Sequence, residues 1–284
     1  MRILITNDDG ILAPGLAVLA HHVAAWIERC PDGEIREALI AAPSNNYSGM
    51  SSAVGDVFEN PNIRYRRHII EGAETIIAYG LDAPPALCAI IGATGSLEFQ
   101  PDLILSGINA GANVGRSVLH SGTVGAILTG AQLGLSGLAV SVQWGDGIHH
   151  FDTAGALAVE VLEEFLDAPS RTLLNLNVPN LSASDLKGVR RGRISTAGIV
   201  KEAGPRAGGE PLGDEGILPL RLGAASPEVG DVTDEDADED GSLIANGYAS
   251  LTALKGPHED CDVALDNVMR SALATITRHL ETLR

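Results

Sequence analysis

Apolar residues along the chain alternate between short continuous runs and longer segments with an apolar residue every three or four positions. The short runs are typical of buried strands and the longer segments of helices packed on one side. Strands and helices that alternate in this way form a parallel sheet covered by helices on both faces. The sequence therefore predicts an α/β, doubly wound fold. The predicted strands are Ile3–Ile5, Ala38–Ala42, Asp102–Leu105, Leu138–Val142 and Leu173–Val178; the predicted helices follow Leu16, Pro84 and Ser121 and span Asp152–Leu166.

One segment of the first half departs from this alternation. Ile63–Ile70 and Thr75–Tyr79 are rich in β-forming residues and flank the turn Glu71–Ala73. This pattern predicts a β-hairpin that leaves the parallel sheet.

The alternation of strands and helices also becomes irregular after Pro179. Val189–Ile199 and Tyr248–Leu254 predict two strands, and Gly204–Asn246 between them is rich in glycine, proline and acidic residues. Asp260–Leu283 has helical spacing, and we expect this helix to pack on a partner subunit. We interpret residues 1–284 as a single domain, with a core over 1–180 and a C-terminal extension over 181–284.

Three polar loops follow predicted strands at their carboxyl ends: Asn7–Gly10, Pro43–Ser52 and Ser106–Gly115. In open parallel sheets these ends form the crevice in which ligands bind. The loops offer oxygen atoms from four side chains, which suit Mg²⁺, Mn²⁺ or Ca²⁺ rather than zinc or copper. Taken alone, the aspartates are equally compatible with a surface turn or helix cap, and the asparagines with turn stabilisation. The four are Asp8, Asp9, Ser48 and Asn109.

Features that favour an anion lie beside the predicted cation ligands. The third loop is glycine-rich, and Ser121–Thr123 opens a helix whose N-terminal N–H groups favour phosphate. His120 adjoins this helix start and is placed to contact phosphate or act as an acid. The chain contains no G-x-G-x-x-G, G-x-x-x-x-G-K-[ST] or G-x-S-x-G run, which disfavours dinucleotide, P-loop and serine-hydrolase sites. A cation beside an anion site suggests a phosphorylated substrate.

Composition restricts the class of partner. The net charge of −18 disfavours nucleic acid and anionic membranes, whereas a bound cation supplies local positive charge for a small phosphorylated molecule. We interpret the acidic run Asp231–Asp240 as a solvated loop.

No apolar run approaches the ~20 residues that span a bilayer, and the N-terminus begins with a strand pattern, so we expect a cytoplasmic protein. We expect Cys30, Cys88 and Cys261 to be buried free thiols.

Several sequence blocks, in this order and spacing, resemble the SurE family. The resemblance continues through Asp152–Ala154 and Asn175–Pro179, and more faintly through Gly247–Thr252, so it covers most of the chain. The blocks that carry it are Thr6–Gly10 with Ala13–Gly15, Ala42–Pro43 with Ser48–Gly49, Ser106–Gly111 with Asn113 and Gly115, and Ser121–Val124.

The resemblance implies a Rossmann-like three-layer α/β/α sandwich and a metal-dependent phosphatase acting on nucleoside 5′- and 3′-monophosphates. It implies one divalent cation per subunit, and its metal ligands map onto the four residues named above. It also implies a homodimer, or a dimer of dimers, that exchanges the hairpin and the C-terminal segment. The residues expected at the phosphate and substrate are Asn45, Gly49, Ser106, Gly107, Asn113, His120, Ser121, Gly122 and Thr123.

Three departures from the family pattern bear on the substrate side of the site. Asn45–Tyr47 carries no basic residue, Asp82–Leu87 lacks an acidic residue that the family usually has, and Gly204–Asn246 is divergent. A non-nucleotide metabolite or short polyphosphate therefore remains an alternative substrate, and a non-catalytic metal-dependent nucleotide sensor an alternative function. For catalysis, Asp8 or Asp9 is expected to accept a proton from attacking water, with an aspartyl-phosphate intermediate as the alternative.

Overall fold

The computed structural model of the chain describes residues 1–145, 147–196, 237–257 and 270. These residues form one mixed sheet of nine strands, five α-helices and a 3₁₀ helix at Gly115–His120. The strands are β1 (Arg2–Thr6), β2 (Glu37–Pro43), β3 (Tyr65–His68), β4 (Ile77–Leu81), β5 (Leu103–Ala110), β6 (Ser136–Val142), β7 (Leu173–Val178), β8 (Val189–Arg191) and β9 (Ala249–Leu254). The helices are α1 (Pro14–Glu28), α2 (Pro85–Ala93), α3 (Gly122–Gln132), α4 (Phe151–Glu164) and α5 (Asp240–Ala245).

The sheet is the middle of three layers. Its strand order is β3-β4-β2-β1-β5-β6-β7-β9-β8, and the six strands from β4 to β7 are mutually parallel. Successive residues of β1 point to opposite faces: Ile3 and Ile5 pack on the side of α1 and α4, and Leu4 on the side of α2 and α3. The predicted α/β/α sandwich is confirmed.

The predicted hairpin is present, but it continues the sheet instead of leaving it. β3 pairs antiparallel with β4, and β4 pairs in parallel with β2, from Leu39 beside Ile77 to Pro43 beside Leu81. The physical reason is that β4 contains apolar residues, among them Ala78 and Leu81, whose burial against the helix layers stabilises the fold. β3 therefore forms one edge of the sheet.

The strand β5 is longer than its sequence predicts. It runs to Ala110, so Ser106 and Gly107, expected in a loop, lie inside the sheet. A register shift between Ser106 and Asn109 lets the strand stay paired with β6, where Asn109 lies beside Ser141. Small residues make this possible: a Cβ on Gly107 would lie 2.4 Å from the carbonyl oxygen of Val140.

The described part of the C-terminal extension joins the same sheet. β9 pairs antiparallel with β7, and β8 pairs in parallel with β9. Met1–Leu254 forms one compact unit and Lys255–Arg284 a second. The predicted helix Asp260–Leu283, apart from Arg270, and most of Gly204–Asn246 lie outside the described residues. The homodimer therefore stays a prediction.

Two expectations from composition can be compared with the described residues. Cys88 is buried and free, as expected, whereas Cys30 is free but partly exposed, and Cys261 lies outside the described residues. Burial raises the pKa of the Cys88 thiol. Within the ranges that the structure describes, no helix has both the length and the apolar character needed to cross a bilayer.

The contact between α2 and β1 gives a test of the packing. A Cβ on Gly92 would lie 2.5 Å from Cδ2 of the fully buried Leu4. A Cβ on Gly155 of α4 would instead meet the ring of His22, whose side chain is 25% exposed and contacts the exposed Asp152, so the ring can shift toward solvent. We expect Gly92→Ala to lower the free energy of unfolding by about 1–3 kcal/mol relative to Gly155→Ala, because the buried core has no room for another methyl group.

Urea unfolding of both variants measures this difference directly. Both substitutions place alanine within a helix, so the gain in helix propensity has the same sign in the two variants. Equal stability of the two variants would contradict the described packing of α2 on β1.

Candidate functional site

The candidate site lies where the chain changes direction in the sheet. From β1 the chain passes through α1 to β2 on one side, and from the neighbouring β5 it passes through α3 to β6 on the other. α1 and α3 cover opposite faces of the sheet, so the carboxyl ends of β1 and β5 open a crevice. Asp8 and Asp9 follow β1, and Asn109 lies near the end of β5.

Asp8 is the deeper of the two carboxylates, only 3% exposed. The Thr123 hydroxyl donates a hydrogen bond of 2.6 Å to Oδ1 of Asp8, and its backbone N–H also contacts the carboxylate. The first turn of α3 fits closely here, since a Cβ on Gly122 would lie 2.7 Å from Cβ of Asp8. The backbone carbonyl of Asp8 accepts from the Tyr47 N–H at 2.7 Å, which ties the first loop to the second.

Asp9 is half-buried and is contacted from two other loops. Its Oδ1 accepts from Asn46 Nδ2 at 3.2 Å and from the Ser48 hydroxyl at 3.5 Å. Its Oδ2 accepts from the Ala110 N–H at 3.4 Å. The structure thus brings the second loop and the end of β5 to the same carboxylate, as the sequence predicted.

Asn109 adjoins Ala110 and is oriented by its own turn. Its Nδ2 donates to the carbonyl oxygen of Gly111 at 2.6 Å. Because the amide nitrogen is engaged in this way, Oδ1 is the atom left to act as an acceptor or ligand.

The electrostatics of the two carboxylates favour a cation. Burial raises the pKa of Asp8, partly opposed by the hydrogen bond from Thr123, and the Asp9 charge raises it further. Burial also raises the pKa of Asp9, opposed by its hydrogen bonds from Ala110, Ser48 and Asn46. Among the described residues no Lys, Arg or His side chain forms an ion pair with either carboxylate.

The residues present fit a divalent cation bound through oxygen. Nowhere in the described ranges do three His, Cys, Asp or Glu side chains cluster as a metal site, so a site here must combine two carboxylates with neutral oxygens. Asp8, Asp9, Ser48 and Asn109 provide that combination, which suits Mg²⁺, Mn²⁺ or Ca²⁺. A cation would also neutralise the buried charge that the protein leaves uncompensated.

The start of α3 faces the same crevice. Ser121 is the N-cap, and its hydroxyl accepts from the Val124 N–H at 3.1 Å. His120 is exposed beside it, and its carbonyl accepts from the Ser51 N–H at 3.3 Å. The bond from Ser51 holds the second loop against the start of α3, where the helix dipole favours an anion.

Asn113 serves first as an anchor for the third loop. Its Nδ2 donates to the Ser141 hydroxyl at 2.9 Å, and its backbone N–H donates to Asn177 Oδ1 at 2.7 Å. Its carbonyl accepts from Asn175 Nδ2 at 2.8 Å and Asn177 Nδ2 at 3.1 Å. Side chains of β6 and β7 therefore set the position of this loop.

Asp240 completes this anchoring, and the interpretation of its acidic run as a solvated loop is wrong at this end. Asp240 is fully buried. Its carboxylate accepts from the backbone N–H groups of Gly115 at 3.0 Å, Ser195 at 3.0 Å and Gly241 at 2.8 Å. Glu239 is 8% exposed and pairs with Arg193 at 2.9 Å. Burial is possible because amide donors replace water around the carboxylate.

The remaining predicted residues lie apart from this cluster or inside the sheet. Asn45 and Gly49 are exposed on the second loop, and Gly10 packs against the Asn45 backbone. Ser106 is fully buried in β5, and its hydroxyl has no hydrogen-bond partner among the residues that the structure describes, so its contact with substrate stays a prediction. Gly107 is buried beside it.

The sequence did not single out Asn46 or Asp240. Asn46 adjoins the predicted Asn45, and its contact with Asp9 depends on how the second loop folds. Asp240 lies 125 residues from its partner Gly115, and its donors are backbone groups that leave no sequence signal.

The chain is similar in sequence and in structure to proteins of one family. The family model "Survival protein SurE" matches residues 3–200. The "5'/3'-nucleotidase SurE" of Erwinia tasmaniensis is 35% identical over 97% of both chains. The "5'-nucleotidase SurE" of Legionella pneumophila is 35% identical over 89% of this chain and 90% of its own. A crystal structure of SurE from Aquifex aeolicus superposes with a TM-score of 0.69 at 27% identity, covering 95% of this chain and 98% of that one.

The Asp240 anchor predicts an effect on stability. Asp240→Asn removes the negative charge that strengthens these hydrogen bonds and, in place of Oδ2, sets an amide N–H₂ against the Gly115 N–H, so two buried donors face each other. We expect a loss of about 1–3 kcal/mol in the free energy of unfolding, measured by urea denaturation. Asp238→Asn is the matched control, since Asp238 is 63% exposed and pairs with Arg193 at the surface. Equal stability of the two variants would contradict the anchoring role.

The buried carboxylates predict a pH effect on the metal-free protein. Burial raises the pKa values of Asp8 and Asp9 above the ordinary 3.8, so the folded chain binds protons more tightly than the unfolded chain. Their contribution to stability is present below the ordinary pKa and is lost as pH rises through the raised folded values. Asp8→Asn removes one of these ionisations.

We therefore expect the Tm of chelator-treated Asp8→Asn to exceed that of the wild type by a margin that grows from about pH 4 to about pH 8. Differential scanning fluorimetry measures this margin, and Asp32→Asn, an exposed change in the turn after α1, is the control. A margin that stays constant or shrinks with pH would contradict the uncompensated burial of Asp8.

Proposed function

Because this chain belongs to the SurE family, we propose that it is a divalent-metal-dependent nucleotidase that releases phosphate from nucleoside 5′- and 3′-monophosphates. The observation that carries the proposal is the pair of adjacent carboxylates, Asp8 buried and Asp9 half-buried, beside the N-terminus of α3. The carboxylates call for a cation, and the helix start favours an anion. The relatives from Erwinia and Legionella, named as nucleotidases, support the substrate class.

Each side chain has a role set by its contacts. Thr123 holds Asp8 through its hydroxyl, and Asn46 and Ser48 hold Asp9, so both carboxylates have fixed orientations. We assign the cation to Asp8, Asp9, Ser48 and Asn109. When bound, a divalent cation polarises phosphate oxygens and lowers the pKa of water. The Thr123 N–H contacts Asp8 and the Val124 N–H contacts the Ser121 hydroxyl, so we assign the phosphate to the Gly122 N–H and the dipole at the start of α3.

Asp8 and Asp9 differ in access to a reacting group. Oδ1 of Asp8 is occupied by the Thr123 hydroxyl and the side chain is nearly inaccessible. Asp9 is half-buried, and its donors come from the second loop and the end of β5, which border the crevice. Asp9 is therefore the better placed of the two to accept a proton from water that attacks the phosphate.

The proposal is tested by phosphate release from a panel of nucleoside monophosphates after chelation. We expect activity to return with Mg²⁺, Mn²⁺ or Ca²⁺, and we expect Asp9→Asn to lower kcat by about 100-fold or more, since loss of a few kcal/mol of transition-state stabilisation has this effect. Asp32→Asn, at the other end of the strands, is expected to keep wild-type activity.

Two results would count against the proposal in different ways. No phosphate release by the wild type with any of the three metals would contradict the nucleotidase function. Metal-restored activity that is equal in wild type and Asp9→Asn would keep the function but contradict the assigned site.

A further inference from the structure

A cavity of about 460 Å³ lies on the carboxyl side of the sheet, next to the candidate site. Its wall includes Ser44 and Asn45, which follow β2, and three side chains from the edge strand and the residue before it: the guanidinium groups of Arg64 and Arg66 and the imidazole of His68. The volume falls in the range of small-molecule sites, about 300–1,000 Å³. No contact described above for the cation or phosphate uses this cavity.

The cavity is connected to the site through the first and second loops. Asn45, in its wall, precedes Asn46, which donates to Asp9. Gly10, which follows Asp9, packs against the Asn45 backbone, since a Cβ there would lie 3.2 Å from the carbonyl group of Asn45. A substrate whose phosphate lies at the start of α3 therefore has this cavity beside it on the β2 side.

Backbone hydrogen bonds hold the cavity wall in place. The Ser44 N–H donates to the Leu81 carbonyl at 2.7 Å, and the Asp82 N–H donates to the Arg64 carbonyl at 3.0 Å. These bonds join the segment after β2 to β4, and β4 to the residue before β3. The cavity is thus framed by secondary structure and does not depend on long side chains alone.

The charge of the cavity differs from that of the chain, whose net charge is −18. Arg64 pairs with Asp82 at 3.0 Å at the rim. Neither Arg66 nor His68 forms an ion pair among the described residues. Alternation along β3 places both on the same face, turned toward the cavity.

His68 lies deeper than Arg66 because of a glycine on the neighbouring strand. A Cβ on Gly80 of β4 would lie 2.9 Å from Nε2 of His68 and 3.1 Å from Cγ2 of Ile11. The missing side chain lets the imidazole lie over β4 beside Ile11, with its planar ring as part of the cavity floor. Arg66 lies directly opposite Gly80 in the strand pair.

We propose that this cavity binds the nucleoside part of the substrate and that Arg66 and His68 are its specificity-determining residues. The inference rests on the nucleotidase function proposed above. A guanidinium group has a flat face that stacks on aromatic rings and a fork of donors that matches ring nitrogens and carbonyl oxygens. The imidazole offers a second flat face, and Ser44, Asn45 and Asp82 offer polar partners for the sugar and base.

Comparing two substrates of the same enzyme tests the assignment. p-Nitrophenyl phosphate carries the reacting phosphate without a nucleoside, so it uses the cation and phosphate groups alone. We expect Arg66→Ala and His68→Ala each to lower kcat/KM for nucleoside monophosphates about tenfold, mainly through KM, as for loss of one hydrogen bond or stacking contact. Activity on p-nitrophenyl phosphate is expected to stay within about twofold of wild type.

Arg67→Ala is the matched control. Arg67 lies between the two tested residues, but it pairs with Tyr79 on the opposite face of the strand and does not line the cavity. We expect this variant to match the wild type on both substrates. Arg66→Lys keeps the charge without the planar fork and is expected to restore only part of the lost efficiency.

Competitive inhibition by a free nucleoside provides a readout that does not depend on turnover of a nucleotide. Adenosine and guanosine should inhibit p-nitrophenyl phosphate hydrolysis by the wild type and by Arg67→Ala. In Arg66→Ala we expect the inhibition constant of each nucleoside to be about tenfold higher. Equal losses on both substrates in Arg66→Ala, or no loss on either, would overturn the inference. Failure of the wild type itself to hydrolyse nucleoside monophosphates would instead contradict the proposed function.

Discussion

Two adjacent carboxylates sit in a largely buried position at the end of the first strand, and the arrangement of the crevice follows from this constraint. Asp8 is almost inaccessible, and Asp9 is half-buried. Charged groups in such surroundings need donors or a counter-charge. The protein supplies donors from Thr123, Asn46, Ser48 and Ala110, but no cationic side chain in the part of the chain that the structure describes. This partial compensation is what makes a bound cation the simplest completion of the site.

The anion side of the crevice is held from a different part of the molecule. The third loop takes its position from Asn175 and Asn177 of β7, from Ser141 of β6 and from Asp240 of α5. The described part of the C-terminal extension therefore does more than lengthen the sheet, because it tethers the loop that leads to α3. The carboxylates of the cation side are held by residues that border the crevice, and the loop of the anion side is held by residues of β6, β7 and α5.

Much of this could be predicted from the sequence. Carboxyl ends of parallel strands lie at one edge of a sheet, so the amino-acid pattern predicts that Asp8, Asp9, Ser48 and Asn109 lie near one another, and the structure places the Ser48 hydroxyl at Asp9. The extension of β5 through Ser106 and Gly107 could not be predicted, because it depends on a register shift against β6. Asp240 looked like part of a solvated acidic run, since nothing local shows that Gly115 and Ser195 would donate to it. Such long-range backbone contacts exist only in the folded chain.

We propose that Asp8 and Asp9 hold one divalent cation, and direct titration of the metal tests this site without any substrate. Isothermal titration of Mn²⁺ into chelator-treated protein should show one site per chain in the wild type and in Asp32→Asn. In Asp9→Asn the affinity should fall by about 100-fold or to nothing, because the cation loses a charged ligand. Equal Mn²⁺ affinity in wild type and Asp9→Asn would contradict the account.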